Sequence, residues 1–172
     1  EIGYLMTTLD RTDKKILGIL QEDCTLPVAE IGRRVGLSTT PCWRRIQRLE
    51  EEGVVTRRVA LLDPAKVNAK VTAFVAITTN QHTEDWLERF ATAIKALPEV
   101  VEFYRMAGSV DYLLRVVVAD IEAYDAFYKK LISKIEVADV STTFAMERIK
   151  STTELPLGFI QLDKDKNRAA AS

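Results

Sequence analysis

Hydrophobic periodicity changes once along this chain, at Asp63-Pro64, and the change sets what each half can become. Before the break, apolar residues recur at the three- and four-residue spacing of amphipathic helices. After it, strand-like runs alternate with helical stripes. A chain of 172 residues interrupted in this way accommodates two small units. With 47% hydrophobic and 28% charged residues, and only 7 Gly and 5 Pro, it has the balance of an ordinary globular protein without long low-complexity linkers.

The first half predicts three short helices. Leu9, Ile16, Leu17 and Leu20 share one face, with Thr8 or Asp10 to cap it. Val28, Ile31 and Val35 repeat at three and four until Gly36. Ser38 and Thr39 offer N-cap oxygens, Pro41 suits a first turn, and Gly53 supplies a stop after Glu52. A short helix, a glycine turn and a capped basic helix outline a helix-turn-helix. Val54 to Leu62 is β-rich and reads as a wing or an extended arm.

Net charge is −1, which excludes a uniformly basic nucleic-acid binder, but the average hides a gradient. Asp10 to Leu62 holds ten basic and eight acidic residues, Ala69 to Lys150 ten and twelve. Arg33 to Arg48 carries five Arg and no acid. A local basic face suffices for a polyanion because salt leaves only short-range fields. At 100° per residue from Pro41, Arg44, Arg45 and Arg48 fall at about 300°, 40° and 340°, while Cys42, Ile46 and Leu49 lie between about 80° and 140°. The three guanidinium groups are therefore expected on one outward side, suited to phosphate or a guanine edge. Thr39 and Thr40 sit at the positive helix start. Arg57 and Arg58 follow on the arm, as phosphate contacts or as a polar strand face. Trp43, at about 200°, is assigned to packing at the domain edge, and Gln47, at about 240°, lies to one side of the reading face. The plain alternative is a solvated face with Glu50, Glu51 and Glu52 pairing the arginines at helical spacing.

The second half predicts strand, helix, two strands around Ala107-Gly108-Ser109, helix and strand, a β-α-β-β-α-β ferredoxin-like order with both helices on one sheet face. The other face, expected to carry Phe74, Tyr104 and Phe144 or their alternates, needs cover, which predicts self-association. Met106 to Tyr112 combines a glycine hairpin, an acid and a Tyr. Backbone N–H groups there suit a carboxylate and Asp111 suits an ammonium, the two demands of an amino acid; a plain hairpin with a solvated Asp is the alternative.

Other chemistry finds little support. Cys24 and Cys42 are too few for a disulfide framework, and with His82 they make a poor zinc set. Cys42 beside arginines invites a redox reading, but its wheel position is that of a small core residue. His82 reads as a surface or capping residue. There is no Ser/His/Asp order, paired carboxylate or phosphate-loop glycine pattern, so an enzyme is disfavoured. No apolar run approaches the ~20 residues of a membrane span. Glu1 to Thr8 lack the basic start and cleavage site of a secretory signal, so a cytoplasmic location is expected.

Leu9-Asp10-Arg11-Thr12-Asp13 with Ile16-Leu17, Ile31-Gly32-Arg33-Arg34-Val35-Gly36-Leu37-Ser38, Arg45 with Arg48-Leu49-Glu50 and Gly53, and Gly108-Ser109-Val110-Asp111-Tyr112-Leu113 together resemble the Lrp/AsnC family of feast/famine regulators. The likeness runs from Leu9 to about Leu157. Thr39-Thr40-Pro41-Cys42-Trp43, Ala60-Leu61-Leu62-Asp63-Pro64, Tyr104-Arg105-Met106-Ala107-Gly108 and Phe144-Ala145-Met146-Glu147 resemble its cysteine-responsive detoxification subgroup. Pro27 stands where many relatives have a capping Ser or Asn, and Ser109 replaces the common acid after Gly108.

The resemblance implies an α+β protein: an N-terminal winged helix-turn-helix and a C-terminal ferredoxin-like, RAM/ACT-like βαββαβ domain. The expected boundaries are 9–62 for the DNA-binding domain with its arm, 63–69 for a hinge, 70–157 for ligand sensing and oligomerisation, and 158–172 for a flexible tail. The expected function is a sequence-specific transcription regulator. Ser38, Thr39, Thr40, Arg44, Arg45, Arg48, Arg57 and Arg58 would contact double-stranded DNA. By resemblance, an amino-acid effector, with L-cysteine as one candidate, would meet Met106, Gly108, Val110, Asp111, Tyr112, Thr142 and Phe144. No metal or other cofactor is expected, and self-association to dimers and a tetramer of dimers is. The alternatives are an architectural DNA protein with weak sequence preference and a stand-alone sensor acting on a protein partner.

Overall fold

The computed structural model describes residues 8–81, 83–134 and 137–162. His82 and the stretch from Asp163 onward, for which a capping role and a mobile tail are expected above, lie outside the described residues. The chain divides into two units: a head, built from the residues up to Ala60 together with those from Ser151, and a sheet unit, Leu61–Lys150.

The head has three helices, α1 (Arg11–Glu22), α2 (Val28–Val35) and α3 (Thr39–Glu51). Asp10 starts α1. Its carboxylate accepts from the Asp13 N–H at 2.8 Å and the Asp13 carboxylate accepts from the Asp10 N–H at 3.1 Å, a reciprocal capping box. Ile16, Leu17 and Leu20 of α1 meet Ile31 of α2 and Cys42, Ile46 and Leu49 of α3 in one apolar core. Gly36 ends α2 with φ of 78°, the left-handed region that favours glycine. Gly32 is demanded by packing, because a Cβ there would lie 2.7 Å from the Leu37 carbonyl oxygen. Pro27 precedes α2 with no side-chain cap, and Ser38 begins α3 by backbone conformation without lending its hydroxyl as a cap.

Two expectations for this half are corrected. Residues 54–62 form no strand, so the β-wing is absent among the described residues and the segment is an exposed arm, with Val59, Leu61 and Leu62 open to solvent. The chain also re-enters the head at its far end. The Gln21 side-chain amide accepts from the Leu155 N–H at 2.7 Å and donates to its carbonyl oxygen at 3.1 Å. Leu157, in a short 3-10 turn (Leu157–Phe159), and Ile160 pack on the head core, and Leu162 pairs with Leu9. The part of the expected tail that is described, 158–162, is thus held on the head.

The sheet unit runs β1 (Val71–Thr78), α4 (Glu84–Lys95), β2 (Val100–Arg105), β3 (Tyr112–Val118), α5 (Ile121–Lys134) and β4 (Asp139–Phe144). The four strands stand in the order β2-β3-β1-β4, all antiparallel, the expected ferredoxin-like arrangement. Ala73, Val75 and Ile77 alternate inward to meet Trp86, Phe90 and Ile94 of α4 and Phe127 and Leu131 of α5. The opposite face carries Phe74 and Tyr104, both substantially exposed. There Arg115 donates to Glu102 at 2.6 Å and Tyr104 donates to the same carboxylate at 2.9 Å. The Arg115 hydrogen bond outweighs burial and holds the Glu102 carboxyl below its ordinary value. Phe144 is not on this face. It pairs with inward-facing Ala73, and its ring meets Tyr124 of α5 edge-on at 4.9 Å.

Candidate functional site

The arginine-rich stretch divides into paired and unpaired groups. Arg45 Nη1 lies 2.6 Å from Asp10 and 2.7 Å from Asp13, and Arg48 Nη2 lies 2.6 Å from Asp13. Asp13 is fully buried. These two guanidinium groups therefore clamp α3 to the start of α1 and do not project together with Arg44. The expectation of three outward arginines is corrected to one. Arg33 and Arg34 of α2 share Glu30 at 2.7 and 2.8 Å, and Arg58 reaches Glu50 at 2.7 Å. Arg44 is exposed and has no carboxylate within 4.0 Å among the described residues; Arg57 is likewise exposed and unpaired there.

Electrostatics follow this pairing. Burial works to raise the Asp10 carboxyl, but the Asp13 N–H and the Arg45 guanidinium outweigh it and hold the group below its ordinary 3.8. Hydrogen bonds from Arg33 and then Arg34 draw Glu30 down to about 2. Burial pushes the Cys42 thiol up against the opposing pull of Arg45, and Cys42 has no exposed surface, so it is a core residue and no sensor thiol.

In the first half of α3 the exposed residues are Thr39, Thr40, Pro41, Trp43 and Arg44, beside exposed Ser38. The wheel accounts for part of this once its reference is the core: the buried stripe centres near 110°, so Arg45 lies only about 70° from the core axis. Arg48, about 130° from that axis, is drawn to Asp13 by charge and not by its wheel position. Trp43, assigned above to packing, is 50% exposed. The Asp10–Asp13 clamp has a sequence signal that the motif reading missed. Asp13, Ile16, Leu17 and Leu20 share one stripe, and an acid on a core stripe requires a cation.

The seven expected effector residues are not brought together as one group. Gly108, with φ of 144°, tips the β2–β3 hairpin, where Met106 is exposed and Val110 is half-buried. The Met106 N–H donates to the Asp111 carbonyl at 2.8 Å and closes the hairpin. One Asp111 carboxylate oxygen already accepts from the Thr79 N–H at 2.8 Å. Tyr112 is buried against Phe90, with ring centroids 4.7 Å apart, so it supports the hairpin from inside. Thr142 and Phe144 lie on β4, separated from the hairpin strands by β1. The Thr142 hydroxyl is 2.5 Å from the Tyr124 hydroxyl.

Residues 9–50 match the AsnC-type helix-turn-helix domain, and residues 72–155 match the Lrp/AsnC ligand binding domain. The DNA-binding transcriptional activator DecR of Escherichia coli K12 is 50% identical over 150 residues, covering 87% of this chain and 99% of that protein. The chain belongs to the Lrp/AsnC family. The crystal structure of an AsnC family transcriptional regulator from Agrobacterium tumefaciens is similar at 67% identity and a TM-score of 0.87, covering 89% of this chain and all of that one. A transcriptional regulator from Neisseria meningitidis, solved in complex with L-Met, matches at 39% identity and a TM-score of 0.85, covering 90% of this chain and 100% of that one. As an Lrp/AsnC protein, the chain is a DNA-binding transcription regulator whose head is the helix-turn-helix and whose sheet unit is the family's ligand-binding domain. No described helix is long and apolar enough to cross a membrane.

Proposed function

We propose that this regulator binds duplex DNA through the first half of α3, and that a small amino acid held at the β2–β3 hairpin alters its DNA binding or assembly. The observation that carries the DNA half is Arg44, exposed and without a carboxylate partner among the described residues, on an acid-free helix start that belongs to an AsnC-type helix-turn-helix. Arg44 reads a base edge, with Ser38, Thr39 and Thr40 anchoring the helix start on phosphate and Arg57 and Arg58 gripping the backbone from the arm. Arg58 exchanges the half-buried Glu50 for phosphate at little cost, because pairs at the surface contribute about 1 kcal/mol or less.

At the hairpin, the free oxygen of Asp111 takes the ammonium, backbone N–H groups near Gly108 take the carboxylate, and Met106 and Val110 bound the side chain. Tyr112, Thr142 and Phe144 act by supporting these strands. L-cysteine and L-methionine are the first amino acids to screen. The protein acts without catalysis, in the cytoplasm, as dimers joined through the sheet face of Phe74 and Tyr104 that assemble further into a tetramer of dimers. Two assays test the proposal. Binding to a mixed-sequence duplex should weaken steeply with salt as condensed counterions are released. An effector at about 100 times its dissociation constant should stabilise the protein by about 2.7 kcal/mol in a thermal-shift screen of the twenty amino acids. Salt-insensitive binding would remove the phosphate contacts, and no stabilisation by any amino acid would remove the effector.

A further inference from the structure

We infer that Trp43 is a DNA-contacting residue, its indole lying against the sugar and thymine-methyl wall of the major groove beside Arg44; this rests on the DNA-binding reading above. Isolated exposed apolar side chains are ordinary, so exposure alone does not decide it. Three further observations do. Trp43 is the fifth residue of α3 and lies in the half of a recognition helix that meets base edges. It shares an unbroken outward face with Thr40 and Arg44, the one arginine of α2 and α3 with no carboxylate partner among the described residues. The chain also carries no acid between Glu30 and Glu50, so no carboxylate of α3 lies within a helical turn of Trp43 or Arg44.

The chemistry fits a groove wall. Indole offers a broad apolar face for deoxyribose carbons and thymine methyls, and one N–H donor for a phosphate oxygen. Because Arg45 and Arg48 are held by Asp10 and Asp13, Trp43 becomes the largest side chain α3 can present to a duplex and a determinant of which sequences it prefers.

The chain has two tryptophans, and Trp86 is buried against Phe90. Quenching by acrylamide, a neutral probe unaffected by DNA charge, therefore reports mainly on Trp43, with W43F giving the Trp86 baseline. Labelled 30-base-pair duplexes of random sequence, and duplexes enriched from that pool by the wild-type protein, are titrated at low salt while anisotropy follows binding. Saturation with DNA should lower wild-type quenching to near the W43F level, and W43A should bind the enriched duplexes about tenfold more weakly. Unchanged quenching at saturation, or W43A affinity within twofold of wild type, overturns the proposal and leaves the DNA-binding reading standing. If anisotropy never rises, that reading fails and this proposal falls with it.

Discussion

Arg44 and Arg45 are neighbours in sequence and opposite in role, so the same substitution should read out in different assays. Arg44→Ala should weaken binding to enriched DNA by about 1–3 kcal/mol and leave the melting temperature unchanged. Arg45→Ala uncovers the carboxylates of Asp10 and Asp13 and should cost about 1–3 kcal/mol of head stability, seen as a lower melting temperature. Arg45→Lys should recover only part of this, since an ammonium is a compact point charge and lacks the guanidinium fork. Asp10 adds a pH dependence whose sign is set by its depressed carboxyl. The carboxylate stabilises the head above its unfolded value, near the ordinary 3.8, and that stability is lost as pH falls through the lower folded value. Acid melts of the head should steepen below about pH 4, and Asp10→Asn should make that limb shallower.

At the scale of elements, the head depends on a segment more than a hundred residues away in sequence. Leu157 and Ile160 fill its core edge, and Gln21 makes two bonds to the Leu155 backbone. Half-burial of two such side chains is worth roughly 1–3 kcal/mol. A chain ending at Lys150 should show faster amide hydrogen exchange in α1 by a corresponding factor, with exchange in β1 and β3 unchanged. Gly18 reports on the same contact. A Cβ there would stand 3.9 Å from Leu157, an ordinary contact. Gly18→Ala should therefore stabilise α1 by roughly 0.8–1 kcal/mol, while Gly18→Leu should displace Leu157.

At the scale of the whole molecule, the sheet unit places its own described helices on one sheet face and none on the other. Phe74 and Tyr104 remain exposed around the Glu102–Arg115 pair, a combination suited to a second copy of the chain because identical patches can complement each other about a two-fold axis. Phe74→Glu puts an unpaired charge at the centre of that patch. In sedimentation velocity it should shift the protein to a smaller species, while the circular dichroism of the fold is retained; an unchanged distribution would place the self-association surface elsewhere.

The order and type of the five helices and of the four strands of the sheet unit were legible in the sequence, because helical and strand periodicities, glycine stops and caps are local properties; the arm at 54–62, read as a possible wing, and the 3-10 turn at Leu157–Phe159 were not. The sequence also revealed the helix-turn-helix, the βαββαβ order and the family, since those motifs are contiguous. Side-chain partners were decided only by tertiary structure. The arginines at 45 and 48 turn inward because α1 presents carboxylates 35 and 32 residues earlier. Phe144 faces α5 because antiparallel register with β1 sets its side of the sheet, and one residue of slip would reverse it. Leu157 belongs to the head because the apolar area it buries on the core edge offsets the loop-closure entropy of so distant a contact, a balance that no local pattern records. Trp43 remained exposed because the core stripe of α3 was already filled by Cys42, Ile46 and Leu49.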